Sequence, residues 1–208
     1  MTTEDQDNIN IARSTGAVLA WIGGISRFAA VSLFRALRRP FGFYDILYQI
    51  VALGVKSLGL ASIMAVFVGL VFTWQFGQAM MGFGAKNAIG YIAGYSLVSE
   101  MVPTVLALTV GARMATGMAA ELGAMKVSEQ IDAIAVLGAD PLKKLVVPRI
   151  IAASISLPLC VVWGDLLSLA SGAVVASSVF DVPATYVYNT FIDGIAPFDY
   201  TFGLIKAL

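Results

Sequence analysis

Three long apolar runs constrain the fold of this chain more than any other feature. They cover residues 46–76, 91–119 and 146–178. Each run exceeds the ~20 apolar residues with which a helix crosses a membrane. The chain is 59% hydrophobic and 12% charged, whereas soluble domains are roughly 45–50% apolar and about 25% charged. These features exclude a water-soluble domain and predict an all-α, polytopic helical membrane protein with three full spans.

The segments between the runs are too polar or too short to cross a membrane. Residues 77–90 are rich in glycine and predict a short loop, and residues 179–199 are polar. Residues 200–208 begin another apolar run that is too short to cross the bilayer. We therefore expect a single membrane domain over residues 1–208, in which 200–208 is the start of a truncated fourth span.

The N-terminal segment, residues 9–39, combines apolar and basic side chains. Its apolar residues recur at helical spacing: Val18, Trp21, Ile22, Ile25 and Phe28. Its arginines cluster toward the end: Arg27, Arg35, Arg38 and Arg39. A basic amphipathic helix lies in the membrane interface with its arginines near anionic head groups. We predict that these four arginines anchor such a helix; the alternative is a short soluble helix packed on the rest of the protein.

Basic residues are distributed unequally between the segments that flank the spans. The N-terminal segment and residues 120–149 hold most of them, whereas 77–90 holds only Lys86 and 179–199 holds none. Because basic loops remain on the cytoplasmic side, we expect the N-terminus and residues 120–145 to be cytoplasmic.

Residues 120–145 predict an amphipathic helix outside the bilayer. Its apolar residues recur at helical spacing: Val127, Ile131, Ile134 and Leu137. Gly138 and the turn pair Asp140-Pro141 are typical of a helix end. The alternative is a helix that lies on the bilayer without a partner.

Glu100 lies inside the second apolar run, where a carboxylate costs about 2.5–3.5 kcal/mol on insertion scales. Helical spacing predicts that Glu100, Pro103, Ala107 and Gly111 share one face of small or kinked residues. Such a face lines a wet cavity or packs against another helix. Two alternatives remain, a protonated carboxyl that bonds to a neighbouring helix and a carboxylate that lies near the outer surface.

Large apolar side chains near the outer end of the first run complete the predicted cavity. Phe72, Phe76 and Met80 share a helical face, and soft apolar side chains suit flexible hydrocarbon. With Glu100 and Leu97 they form the candidate substrate cavity. The alternative for these apolar residues is an ordinary core or lipid-facing position.

Asp165 is a second carboxylate inside an apolar run. Small residues at four-residue spacing lie beside it and predict a helix–helix contact: Gly164, Ser168, Gly172 and Ala176. Asp165 is then a structural hydrogen-bond partner. Alternatively, Glu100 and Asp165 relay protons in a secondary transporter.

Several functional classes are excluded by composition. The chain has no His and a single Cys160, so neither a disulfide nor a site of the usual His or thiolate metal ligands is expected. Lys and Arg balance Asp and Glu at 13 each, so there is no basic field for nucleic acid. We expect no catalytic residues, no metal and no cofactor in this chain.

The segment AAELGAMKVSEQIDAIAVLGADPLKKLVVPRIIA resembles the signature cytoplasmic loop of the MlaE/YrbE permeases, the membrane subunits of MCE-associated ABC phospholipid transporters. These positions match the family pattern: Glu121, Leu122, Gly123, Met125, Glu129, Gln130, Asp132, Asp140, Pro141, Pro148 and Arg149. Glu100 and Pro103 also match the second helix of the family. Ser99 is a departure, because many members carry Arg there.

The resemblance implies a multi-pass protein of the bacterial inner membrane with five spans and two copies per transporter. It implies a cytoplasmic ABC ATPase that binds ATP and magnesium, a periplasmic MCE-domain ring and often a STAS-domain partner. The implied cargo is phospholipid, moved between the inner membrane and periplasmic carriers that maintain outer-membrane lipid asymmetry. A membrane scaffold that does not transport is the remaining alternative.

We expect the helix and turn over residues 121–141 to transmit closure of the ATPase dimer. The residues expected to couple this chain to the ATPase are Glu121, Lys126, Glu129, Asp132, Gly138, Asp140 and Pro141.

Overall fold

The computed structural model describes residues 20–28, 30–32, 34, 43–195 and 197–207. Within these ranges all regular structure is helical, which confirms the all-α prediction. The helices are α1 (Phe43–Leu53), α2 (Leu58–Gly82), α3 (Ile89–Ser96), α4 (Val102–Val127), α5 (Gln130–Val136), α6 (Val147–Phe180), α7 (Ala184–Gly194) and α8 (Pro197–Lys206). Shorter turns join them: 3-10 turns at Val55–Ser57 and Lys86–Ala88, and π-helical turns at Leu97–Met101 and Leu142–Val146.

Three helical segments are long and apolar enough to cross a membrane, as the sequence predicts. They are Phe43–Gly82, Lys86–Val127 and Leu142–Phe180, with 40, 42 and 39 residues. At about 1.5 Å per residue, each is about 60 Å long, twice the ~30 Å of hydrocarbon. The helices therefore extend beyond the membrane.

The three spans alternate in direction. α2 and α6 run parallel, since the Trp163 indole N–H donates to the Ser62 hydroxyl at 2.9 Å and, further along both helices, Ser171 donates to the carbonyl of Val66 at 3.2 Å. α4 runs antiparallel to them, because the early residue Val102 faces Gly164 whereas Gly111 faces Leu157.

Small residues bring α2 and α6 into close contact. Ser168 and Gly172 are buried on α6, and Gly69 and Thr73 face them from α2. This confirms the helix–helix contact that the small-residue spacing predicts. The packing is tight, because a methyl group on Gly69 would collide with the Ser168 carbonyl oxygen.

The predicted loop over residues 77–90 is wrong in its extent. α2 continues to Gly82, and helical structure resumes at Lys86. Gly77 does not break the helix; it makes room for the ring of Phe180. The chain turns instead at Gly84, whose φ of +68° favours glycine.

The single amphipathic helix predicted between residue 120 and Gly138 is also wrong. α4 runs on to Val127, and the chain then breaks at Glu129, which has a left-handed φ of 58°. Only Gln130–Val136 forms a separate helix. Gly138 follows that helix with a φ of 77°, as its predicted role as a helix end requires.

The polar region 179–199 is largely helical rather than a loop. α7 packs on α3, where Gly90 and Gly94 admit Thr190 and Phe191. Val187 and Phe191 are buried in this contact. Their four-residue spacing gives α7 an apolar face despite its polar composition.

The two chain ends differ in how far the predictions are tested. The predicted 200–208 segment is mostly helix α8, which begins earlier, at Pro197. Within this helix, Gly203 packs against Val98 and Pro103. Much of the 9–39 segment lies outside the described residues. Residues 20–28 are helical and exposed, so the interfacial position of this segment stays a prediction.

Replacing Gly69 tests the α2–α6 contact. We expect Gly69→Ala to lower the melting temperature in detergent, because overpacking costs about 1–3 kcal/mol. Gly59→Ala in the same helix is the matched control, since a methyl group there would meet nothing within 4 Å. Equal melting temperatures for the two variants would contradict this packing.

Candidate functional site

An ion pair lies in the first half of the second span. Lys206 of α8 forms a salt bridge with Glu100 and donates a hydrogen bond to the Ser99 carbonyl at 3.0 Å. About 20 Å of helix separates Glu100 from both Lys86 and Arg113, at about 1.5 Å per residue. The Glu100 side chain is nevertheless 54% exposed. Since charges do not face hydrocarbon at this depth, the open side of the pair requires water or a polar partner.

A π-helical turn gives Glu100 this orientation. The turn, Leu97–Met101, inserts extra backbone just before α4. Pro103 is buried while Glu100 is exposed, so the predicted face shared by Glu100 and Pro103 is wrong. The sequence prediction assumed unbroken α-helical spacing, which the π turn interrupts.

The apolar residues of the predicted cavity do not form one surface. Phe72 and Phe76 stack with ring centroids 4.3 Å apart and are half-buried. Met80 packs on a different cluster, which includes Phe180. Leu97 is wholly buried in the core, so its predicted place in an open cavity is wrong for this chain. The π turn directs Leu97 inward and Glu100 outward.

At the other end of α4, an ion pair between a buried arginine and an exposed glutamate joins two spans. Arg149 of α6 donates to the Glu121 carboxylate at 2.7 Å and to the Leu145 carbonyl at 3.0 Å. The Arg149 side chain is only 5% exposed. We call this end of the bundle, which carries residues 113–149, the basic end.

The other predicted coupling residues form a compact turn at the basic end. Lys126 donates to both carboxylate oxygens of Asp132 at 2.8 Å, across the break between α4 and α5. Asp140 accepts the N–H of Leu142 at 3.1 Å, and Pro141 precedes the second π turn.

Apolar side chains on this turn have no cover within the described chain. Val127, Val136 and Leu137 are 88%, 87% and 83% exposed, whereas Ile131 and Ile134 are half-buried. We call residues 127–141 the coupling segment.

Asp165 is buried on α6, and its Oδ1 atom has no hydrogen-bond partner among the described residues. Glu100 pairs with Lys206 instead. The proton-relay alternative, in which Glu100 and Asp165 exchange protons, stays a prediction.

The predicted membrane anchor is only partly described. Arg27 is exposed in the helical stretch 20–28. Arg35, Arg38 and Arg39 lie outside the described residues, and their anchoring role stays a prediction.

Sequence reasoning missed two partners. Lys206 is the one charged residue in 200–208, and a lone cation in an apolar run signals a carboxylate partner. The family pattern includes Arg149 but assigns it no role, and its position after a proline at the start of a long apolar run is the signal in the sequence.

Comparison with known proteins agrees with this architecture. Residues 46–208 match the family model described as Permease MlaE. The chain belongs to the MlaE permease family. The resemblance seen in the loop between the second and third runs is confirmed.

Several curated proteins are similar to most of this chain. A protein of Arabidopsis thaliana, TRIGALACTOSYLDIACYLGLYCEROL 1, chloroplastic, is 31% identical over 90% of this chain and 54% of its own length. A probable ABC transporter permease protein of Rickettsia bellii is 33% identical over 96% of this chain and 78% of its own. A probable ABC transporter permease protein of Synechocystis is 37% identical over 69% of this chain and 55% of its own length. The chain thus spans about half of the Arabidopsis and Synechocystis relatives.

Removing the partner of Arg149 tests the tie between α4 and α6. Removing one member of a buried pair costs about 3–5 kcal/mol. We expect a smaller but clear drop in melting temperature for Glu121→Gln, because Glu121 itself is 60% exposed. Lys126→Gln is the control, since its exposed pair is worth about 0–1 kcal/mol. Equal effects would show that Arg149 does not depend on Glu121.

Proposed function

We propose that this chain is the permease subunit of an ATP-driven ABC transporter for phospholipid. It would work with a second copy of itself in the bacterial inner membrane. Its cargo would pass between that membrane and periplasmic carriers that maintain outer-membrane lipid asymmetry. The membership of the MlaE permease family and the names of the Rickettsia and Synechocystis relatives support the class.

The exposed coupling segment is the observation that carries the proposal. Val136 and Leu137 project from the basic end, outside the apolar part of the spans. Large apolar side chains that cluster on an exposed polar segment are typical of a docking surface. The excess of basic residues at this end supports a cytoplasmic location, where an ATPase binds ATP and magnesium.

The coupling segment is also connected to the spans. Glu121 ties the end of α4 to Arg149 of α6, and Lys126 ties it to α5 through Asp132. An ATPase that moves α5 would therefore move α4 and α6 with it. Glu129, Gly138, Asp140 and Pro141 hold the turns at either end of α5, and contact with the ATPase is proposed there.

The Glu100–Lys206 pair supports a lipid cargo. A zwitterionic phospholipid head group carries a phosphate and an amine, which complement Lys206 and Glu100. The stacked rings of Phe72 and Phe76 are proposed to contact acyl chains. The name of the Arabidopsis relative contains that of a galactolipid. The open side of the ion pair would face the second copy across a shared cavity.

The remaining partners follow from the family alone. An MCE-domain ring is proposed at the end of the bundle opposite the basic end, and a STAS-domain protein at the cytoplasmic side. The N-terminal arginines, including Arg27, are proposed to hold the first segment against anionic lipid.

Charge on the coupling segment tests the docking surface. We expect Val136→Asp with Leu137→Asp to abolish co-purification of ATPase activity, because two carboxylates would be desolvated in the interface. Phe83→Asp is the matched control, since Phe83 is 81% exposed at the opposite end. The measurement is ATP hydrolysis per permease after purification from the native membrane. Undiminished hydrolysis in the double variant would refute this surface.

Loss of Glu100 tests the cavity. We expect Glu100→Ala to slow ATP-dependent transfer of phospholipid between vesicles about tenfold or more, since a hydrogen bond to a charged group is worth about 1.5–3 kcal/mol. Leu108→Ala, a 70% exposed position on the same span, is the control.

The same assay separates the alternatives. Unchanged transfer in Glu100→Ala would favour a scaffold. Transfer that ignores ATP and stops with a proton ionophore would favour proton coupling through Glu100 and Asp165.

A further inference from the structure

A polar cleft of about 440 Å³ opens at the basic end, between α1 and α4. It is lined by two cations, Lys56 and Arg113, and by polar side chains that include Gln49, Thr116 and Glu121. It is distinct from the Glu100–Lys206 pair, which lies about 20 Å further along the second span at about 1.5 Å per residue.

The charges of this cleft do not cancel internally. Glu121 is its one carboxylate, and that group is already bonded to the buried Arg149. Arg113 donates one N–H to Ser57, but a guanidinium has five. The Lys56 ammonium has no hydrogen bond or ion pair within the described part of the chain. The cleft therefore has an excess of positive charge and several free donors.

The depth of Lys56 is fixed by the helix that follows it. α2 begins two positions later, contains 25 residues and carries no charged side chain. It is about 38 Å long at about 1.5 Å per residue, enough to cross ~30 Å of hydrocarbon. With α2 across the hydrocarbon, Lys56 would lie at the membrane boundary of the basic end, at the level of lipid phosphates.

Separate snorkelling of Lys56 and Arg113 to the surface does not account for this arrangement. The two residues come from different spans, yet both line one cleft. The break at Gly54 and the 3-10 turn Val55–Ser57 place Lys56 beside α4, where Ser57 accepts the Arg113 hydrogen bond. Leu53 and Met114 supply an apolar wall.

We propose that this cleft binds the phosphate of one phospholipid from the leaflet at the basic end. Lys56 and Arg113 would share the phosphate oxygens, Thr116 and Gln49 would bond to the rest of the head group, and the apolar wall would contact the acyl chains. This site differs from the cargo cavity proposed above, and it does not require the chain to transport lipid.

The experiment measures lipid retention by the purified full chain in nanodiscs of phosphatidylcholine that contain some phosphatidylglycerol. After transfer to detergent, native mass spectrometry counts the phosphatidylglycerol that each chain retains. We expect the double variant Lys56→Gln, Arg113→Gln to retain at least tenfold less than the unmodified chain. The single variant Lys56→Gln should also lose most of the retained phosphatidylglycerol. It should do so without disturbing the fold, because the Lys56 ammonium bonds to no described residue.

The matched control is the double variant Lys86→Gln, Lys143→Gln, which removes the same charge outside the cleft. It should retain lipid like the unmodified chain. Equal loss in the control, or equal retention in all variants, would overturn the proposal. A separate arm adds inorganic phosphate in excess; if free phosphate displaces the lipid and binds in its place, the lipid assignment fails. Because no ATPase is present and no transfer is measured, these outcomes are independent of the transport proposal.

Discussion

The close parallel packing of α2 and α6 is the contact on which the rest of the bundle depends. Lipid is as apolar as the helices, so close packing through small residues and hydrogen bonds between helices hold the spans together. Gly69 and Gly77 on α2, with Ser168 and Gly172 on α6, provide that approach. The pair forms a surface against which α4 packs antiparallel. This arrangement brings Glu121 of α4 to Arg149 of α6.

The ion pair at the basic end and the ion pair at Glu100 differ in burial, and they therefore differ in what they can do. At the basic end, Arg149 is buried and Glu121 reaches it from the neighbouring helix. Within the second span, Glu100 and Lys206 pair on an open face. The first arrangement fastens two helices, whereas the second leaves charge available to a ligand. π-helical turns occur frequently at functional sites, and here one directs Glu100 to the open face.

The sequence predicts the spans well, because length and apolar content alone decide which segments cross a membrane. It predicts their ends poorly. Gly77 resembles a helix breaker, but it packs against Phe180 within the helix. The burial of Leu97 depends on a π turn that has no clear sequence pattern. The partners of Glu100 and Arg149 are distant in sequence, and spacing along one helix cannot identify them. The family pattern found the coupling segment, but not the cleft formed by Lys56 and Arg113, because that cleft requires α1 and α4 to meet.

α4 relates the two proposed functional regions to each other. It is one helix of 26 residues, about 39 Å long at about 1.5 Å per residue. The coupling segment follows its last turn, and the π turn with Glu100 precedes its first. In the proposed transporter, a force on α5 would reach the ion pair through a continuous helix. Glu121 would pass part of that force to α6 through Arg149. Because Lys206 holds Glu100 from α8, a shift of α4 would change the geometry of this pair. The ion pair is thus the place where the proposed motion at the basic end would alter what a bound head group meets.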